Sequence, residues 1–253
     1  MERHLWNQKL RKHYSPNWPC STCAKGHLVL VPKSLSYTET VDSKKEHSNA
    51  EWEPDWITYV FTAWLKCNNL QCGEEVVVSG TGGEEQDYGP EDEIDWSPQF
   101  APKFCCPMPD IFVIPKKCPK DVRAELRAAF AIFWSDHCSA AARIRIALER
   151  LMDFLEITAT KIYNTKTIDL TLHQRIEIFQ KGDPTIGDQL MALKWLGNTS
   201  SHASNVSRED VLDAFEILEH ALFELIERRS AKVAKLAQKL AYKHAPAPKP
   251  EGT

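Results

Sequence analysis

Two pairs of cysteines constrain this chain more than anything else in it. Pro19-Cys20-Ser-Thr-Cys23 is followed, 44 residues after Cys23, by Cys67-Asn-Asn-Leu-Gln-Cys72. A C-x2-C turn and a C-x4-C turn, each beside a strand-like run, can bring four thiolates into a tetrahedron, the geometry zinc takes in structural sites. The binding energy of the metal then becomes folding energy, which a small lobe with few strands needs. A site with four sulfurs has no open coordination position. The zinc expected at Cys20, Cys23, Cys67 and Cys72 is therefore structural, with His27 as a reserve ligand. The blander reading makes these four ordinary thiols; the paired spacing favours the metal. Cys105 and Cys106 are adjacent, poor geometry for one metal, and Cys118 and Cys138 read as small buried hydrophobes.

The first residues, Met-Glu-Arg-His-Leu-Trp, lack the apolar core of a secretory signal. A cytoplasmic setting is expected, where cysteines serve metals or stay free more often than they form disulfides. No run approaches the ~18 apolar residues of a membrane span, so no membrane partner is expected. A formal net charge of −4 excludes a protein that is basic overall, though it conceals local blocks of charge.

The chain changes character near Pro119, and the fold class expected is α+β. Six of the eight tryptophans (Trp6, Trp18, Trp52, Trp56, Trp64 and Trp96) precede residue 100. The same part holds Leu28–Val31, Ile57–Thr62 and Glu75–Val78, short β-branched or aromatic runs that read as strands. Glu84–Asp95 carries seven acidic residues and no basic one, and reads as a solvated loop. Six prolines between Pro98 and Pro119 exclude a helix and suggest an extended connector, with one strand at Ile111–Ile114. Residues 1–118 thus read as a zinc-ribbon-like β lobe.

From 119 to 244 the pattern is helical. Asp121 is placed to cap a helix to about Trp134, and Ser139 another from Ala140 to about Leu155. Further helices fit Leu172–Gln180 and Pro184 to about Gly197. Ser207 and Asp210 resemble a capping box opening the longest helix, whose inner face is Val211, Phe215, Leu218, Leu222 and Leu225. Arg228, Lys232, Lys235, Lys239 and Lys243 then form a basic stripe opposite Val233, Leu236 and Leu240. Cations at this spacing can follow a phosphate backbone or meet an acidic surface; the plain alternative is a solvated face. The acidic run Glu84–Asp95 is a candidate intramolecular or dimer partner for the stripe. Residues 245–253 read as a disordered tail.

Two patches in the helical half carry candidate chemistry. Arg145 and Glu149 are four apart and can pair on one helix face. Beyond Gly197, Asn198 and His202 share a side if the turn stays helical, and a histidine beside an amide or carboxylate can move protons near neutrality. It can equally clamp two helix ends by hydrogen bonds, the plainer reading of a lone histidine. Arg145-x-x-Leu148-Glu149, the Leu172–Gly182 helix, Leu196-Gly-Asn-x-x-x-His202 and a long final helix together resemble the domain of unknown function 4145 family over about residues 119–229. A preceding zinc-ribbon-like segment is a known arrangement around it.

That family is similar to the HEPN superfamily of four- to five-helix up-and-down domains. The resemblance implies such a bundle, dimerisation through it, and a prokaryotic defence or restriction context. It also implies a route to metal-independent RNA cleavage, in which His202 would handle a proton and an arginine would stabilise charge on the phosphate. The positions where the HEPN motif has arginine hold Trp195, Leu196 and Gly197, with Lys194 one residue too far, leaving Arg145 as the substitute. The preferred reading is a non-catalytic protein that binds nucleic acid or a defence-system protein. The alternative is an endoribonuclease using His202, with Asn198, Glu149 and Arg145 in support.

Overall fold

The computed structural model describes residues 1–88, 94–199 and 206–244. Among these, an antiparallel sheet forms the N-terminal part and packed helices the rest, an α+β arrangement. The sheet contains β1 (Leu10–Arg11), β2 (Leu28–Leu30), β3 (Ser36–Glu39), β4 (Thr58–Cys67), β5 (Glu75–Tyr88) and β6 (Ile94–Cys106). Its order is β1-β6-β5-β4-β2, and β3 lies further along the same edge of β4 as β2. A short helix, α1 (Val41–Glu46), follows β3. Alternation along β4 sends Phe61, Ala63, Leu65 and Cys67 inward, with Val76 and Val78 of β5 and Phe100 of β6.

Three expectations change here. The acidic run is no simple loop, because β5 extends through Glu84, Glu85 and Asp87 and β6 resumes at Ile94; the run's centre lies outside the described residues. The proline-rich stretch begins as the strand β6, which contains Pro98 and Pro102. Proline is tolerated where its missing N–H has no ladder to serve, and β1 covers β6 only at Phe100 and Gln99. Ile111–Ile114 forms no strand; its Ile111, Phe112 and Ile114 are buried, and the Phe112 ring meets Phe130 at 5.1 Å and Phe215 at 6.1 Å.

The helical half comprises α2 (Lys120–Ile132), α3 (His137–Phe154), a hairpin of β7 (Thr160–Tyr163) and β8 (Lys166–Asp169), then α4 (Leu172–Gln180), α5 (Pro184–Thr199), α6 (Arg208–Leu222), a π-helical turn (Phe223–Glu227) and α7 (Arg229–His244). Caps differ from expectation at two starts. Pro119 stands at the N-cap of α2 with Asp121 in its first turn, and Asp136, not Ser139, caps α3 by accepting the Ser139 N–H at 2.9 Å. The Ser207–Asp210 capping box is present, as is one at Thr171 and Gln174. α3, with 18 residues, is longer than α6, with 15. The hairpin at 160–169 escaped notice; its turn residues Asn164 and Thr165 both have positive φ, the conformation of a tight two-residue hairpin.

Sheet and helices share one core. Trp6 and Trp18 lie 6.0 and 4.9 Å from the ring of Trp134, which follows α2. All three are buried, and the Trp18 indole N–H donates to the Leu5 carbonyl at 2.8 Å. Around this seam Arg3 pairs with Glu209 and Asp213 of α6, and the Asn7 side chain donates to Glu209 at 2.8 Å. Removing the central ring leaves a cavity between the two halves. Trp134→Ala is expected to lower unfolding stability by about 3–5 kcal/mol, read by guanidinium titration; a loss below about 1 kcal/mol would show the seam to be peripheral.

Candidate functional site

The register of β2 on β4 sets Leu28 opposite Cys67, so the turn before β2 and the turn after β4 meet at the same end of the sheet. In the first turn the Cys20 N–H donates to the Gly26 carbonyl and the Ala24 N–H to the Cys20 carbonyl, both at 2.9 Å, with Ala24 at positive φ. In the second, the Cys72 N–H donates to the Asn69 carbonyl at 2.9 Å and Gly73 takes a φ of +63°. The turns are tied together directly, since Asn68 donates its backbone N–H to the His27 carbonyl at 3.0 Å and accepts the His27 N–H on Oδ1 at 2.9 Å.

This brings the sulfurs of Cys20, Cys23, Cys67 and Cys72 all within 4.8 Å of one another. Cys20 Sγ lies 3.8 Å from Cys72 Sγ, and Cys23 Sγ 3.7 Å from Cys67 Sγ. Four sulfurs each at about 2.3 Å from a tetrahedral ion stand roughly 3.8 Å apart, so the cluster fits a metal ion and is too open for disulfides. Backbone N–H groups two residues downstream point at three of the sulfurs: Lys25 at Cys23, Asn69 at Cys67 and Glu74 at Cys72. Bonds from Lys25 and Gly26 lower the Cys23 thiol to about 6, while burial pushes Cys67 up to about 12. His27 is exposed and stands outside the sulfur group.

Sequence reasoning overlooked Gly26. A Cβ there would sit 2.5 Å from Cys67 Sγ and 2.9 Å from Asn69 Cβ, so only glycine lets the first turn close over the second. The signal was present, a glycine three residues past the second cysteine of the C-x2-C turn. The remaining thiols are dispersed: Cys105 and Cys118 are buried, Cys138 is half-buried and Cys106 is exposed.

In the helical half, Arg145 pairs with Glu149 at 3.1 Å on α3, both half-buried. α5 crosses at this point. A Cβ on Gly197 would lie 2.6 Å from Arg145 Cβ and 3.0 Å from the Ala141 carbonyl, so the glycine sets how closely the helices approach. Arg145, Glu149 and the half-buried Asn198 therefore belong to one region, and Arg145 Nε is buried without a hydrogen-bond partner among the described residues. His202 lies outside the described residues. Lys194 is buried with Nζ 3.5 Å above the Trp195 ring, which makes it a packing cation.

The basic stripe is exposed along α7, where no residue is buried; Val233, Leu236 and Leu240 are exposed too, and at about 100° per residue they border the stripe rather than stand opposite it, Leu236 lying four residues after Lys232. The acidic strand ends do not meet it. Glu85 pairs with Lys9, Asp87 with Arg11 at 3.5 Å, and Glu84 accepts the Tyr59 hydroxyl at 2.7 Å.

Residues 127–242 match the model of a family described as a domain of unknown function, DUF4145. The match covers most of the helical half, from within α2 into α7. Residues 8–108 match a second domain of unknown function, DUF8608, which spans both cysteine turns. No curated protein and no solved structure matches the chain. The DUF4145 match covers the Arg145–Glu149 pair, the crossing at Gly197 and most of α7, and the DUF8608 match holds the four sulfurs.

Gly26→Ala forces the two cysteine turns apart. Metal release to a chromogenic chelator is expected to speed up at least about tenfold relative to wild type, and the thermal midpoint to fall. Unchanged release would show that the turns close without that contact.

Proposed function

We propose that the protein is a zinc-stabilised, HEPN-like interaction protein without catalytic activity, whose α7 binds nucleic acid. The observation that carries this reading is the composition and exposure of α7: across Arg229–His244 there is no acidic residue, no buried side chain, and a cation about every turn. Cationic side chains at that spacing attract phosphates and release counterions, which makes binding fall steeply with salt. Zinc held by Cys20, Cys23, Cys67 and Cys72 would keep the first sheet edge closed; with four sulfur ligands it would have no position left for substrate. The functional division would fall near residue 119, with dimerisation through the helical domain and a prokaryotic defence or restriction setting, as the family resemblance implies. A protein partner with an acidic surface is the other occupant the stripe would accept.

The ribonuclease reading draws on the meeting of Arg145 with Gly197 of α5, five residues before His202 in the sequence. The non-catalytic reading is preferred because Arg145 already pairs with Glu149 and Lys194 is spent on Trp195.

One experiment addresses both. Fluorescence anisotropy with a labelled single-stranded RNA is expected to show binding that weakens with salt, and Lys239→Glu/Lys243→Glu should weaken it at least about tenfold. The same RNA should stay intact in brief EDTA. Salt-independent binding, or none, would overturn the nucleic-acid reading; cleavage abolished by His202→Ala would make the protein a ribonuclease.

A further inference from the structure

α6 does not run smoothly into α7. The helix loosens into the π-helical turn Phe223–Glu227, and Arg228 then takes the left-handed conformation at φ +51° before α7 restarts at Arg229. Helix ends commonly reach this conformation with glycine or asparagine, which carry the least strain there. A long charged side chain is a poor choice for the turn alone. The turn's own needs are met from within: Glu224 accepts the Arg228 N–H on its carbonyl at 3.1 Å and the Ser230 N–H on its carboxylate at 3.1 Å. The positive end of α7 thus has its carboxylate already.

Beside this turn lies a concavity of about 390 Å³ lined by Lys117, Arg228, Lys232 and Lys235 together with Ile226 and Ala231. Glu227 is the one carboxylate in the lining, and it pairs with Lys232 at 3.4 Å. Four cations against one carboxylate leave an excess of three positive charges in a space much larger than a single ion. Lys117 does not belong to α7; it comes from the segment between β6 and α2. An anion held there would join an otherwise unsupported helix to the body of the protein.

We propose that this concavity seats a phosphate group, held by Lys117, Arg228, Lys232 and Lys235, and that Lys239 and Lys243 continue the track along α7 at roughly 5 Å per turn. The inference rests on the nucleic-acid reading of α7 and deepens it. It names where the backbone is anchored, and it assigns to Arg228 a conformation kept for its side chain.

The test uses the full-length protein and two probes, a labelled single-stranded RNA followed by anisotropy and sodium tripolyphosphate followed by calorimetry. Wild type is compared with Lys117→Gln, Arg228→Gly, Lys239→Gln/Lys243→Gln, and Lys161→Gln on β7 as a remote charge control. Lys117→Gln and Arg228→Gly are expected to weaken both probes about three- to fivefold and to reduce the RNA salt slope by about 0.7 each, with Lys161→Gln unchanged. Arg228→Gly should melt no lower than wild type, since glycine suits its φ. If RNA binding depends on Lys239 and Lys243 but not on Lys117 or Arg228, the phosphate seat is wrong and the nucleic-acid reading stands. If tripolyphosphate binds in a Lys117-dependent way and RNA does not, the seat stands and the nucleic-acid reading falls. Binding of neither probe overturns both.

Discussion

Four sulfur atoms from two turns 44 residues apart are gathered into a space under 5 Å across, those of Cys20 and Cys67 on buried residues and three of the four receiving backbone N–H bonds. Bare thiolates so close would repel one another, and neutral thiols would gain little from the N–H groups aimed at them. A cation at their centre would resolve the conflict, since it would hold the sulfurs deprotonated and satisfy their geometry. Much of the N-terminal part depends on that closure. The first turn leads into β2, the second ends β4, and the Leu28–Cys67 register between them fixes the edge on which β3 also pairs. Gly26 is the steric condition for it, because any side chain there would strike the sulfur of Cys67.

From this edge the structure is continuous to the helices. The chain before the first cysteine turn carries Trp6 and Trp18 into contact with Trp134, while Arg3 reaches the acidic face of α6. Phe112 packs against Phe130 and Phe215. The two matched domains are therefore packed through a common core of aromatic rings. α7 stands apart from this core, with its cations and its apolar residues both facing solvent.

What the sequence revealed follows from the range of the interactions involved. The cysteine pairs were legible because each turn is local and the metal geometry restricts the spacing. The helices from Leu172 to Leu222 were legible because capping residues and apolar period lie within one segment, as the Ser207–Asp210 box shows. The caps of α2 and α3 were displaced by two or three residues because several polar residues precede each helix and only the backbone decides among them. β6 was hidden because its prolines are tolerated by a sparse pairing with β1, which comes from the far end of the lobe. The meeting of Arg145 with Gly197, and the concavity that adds Lys117 to the stripe, depend on contacts between distant segments that no local pattern encodes.

The most direct test of the metal account is X-ray absorption at the zinc edge on protein purified without added metal, with zinc content measured on the same sample. One zinc per chain with four sulfur neighbours at about 2.3 Å, lost in Cys67→Ser, is the result the account requires. A folded protein that carries no zinc, or a zinc whose shell contains nitrogen or oxygen, would contradict it.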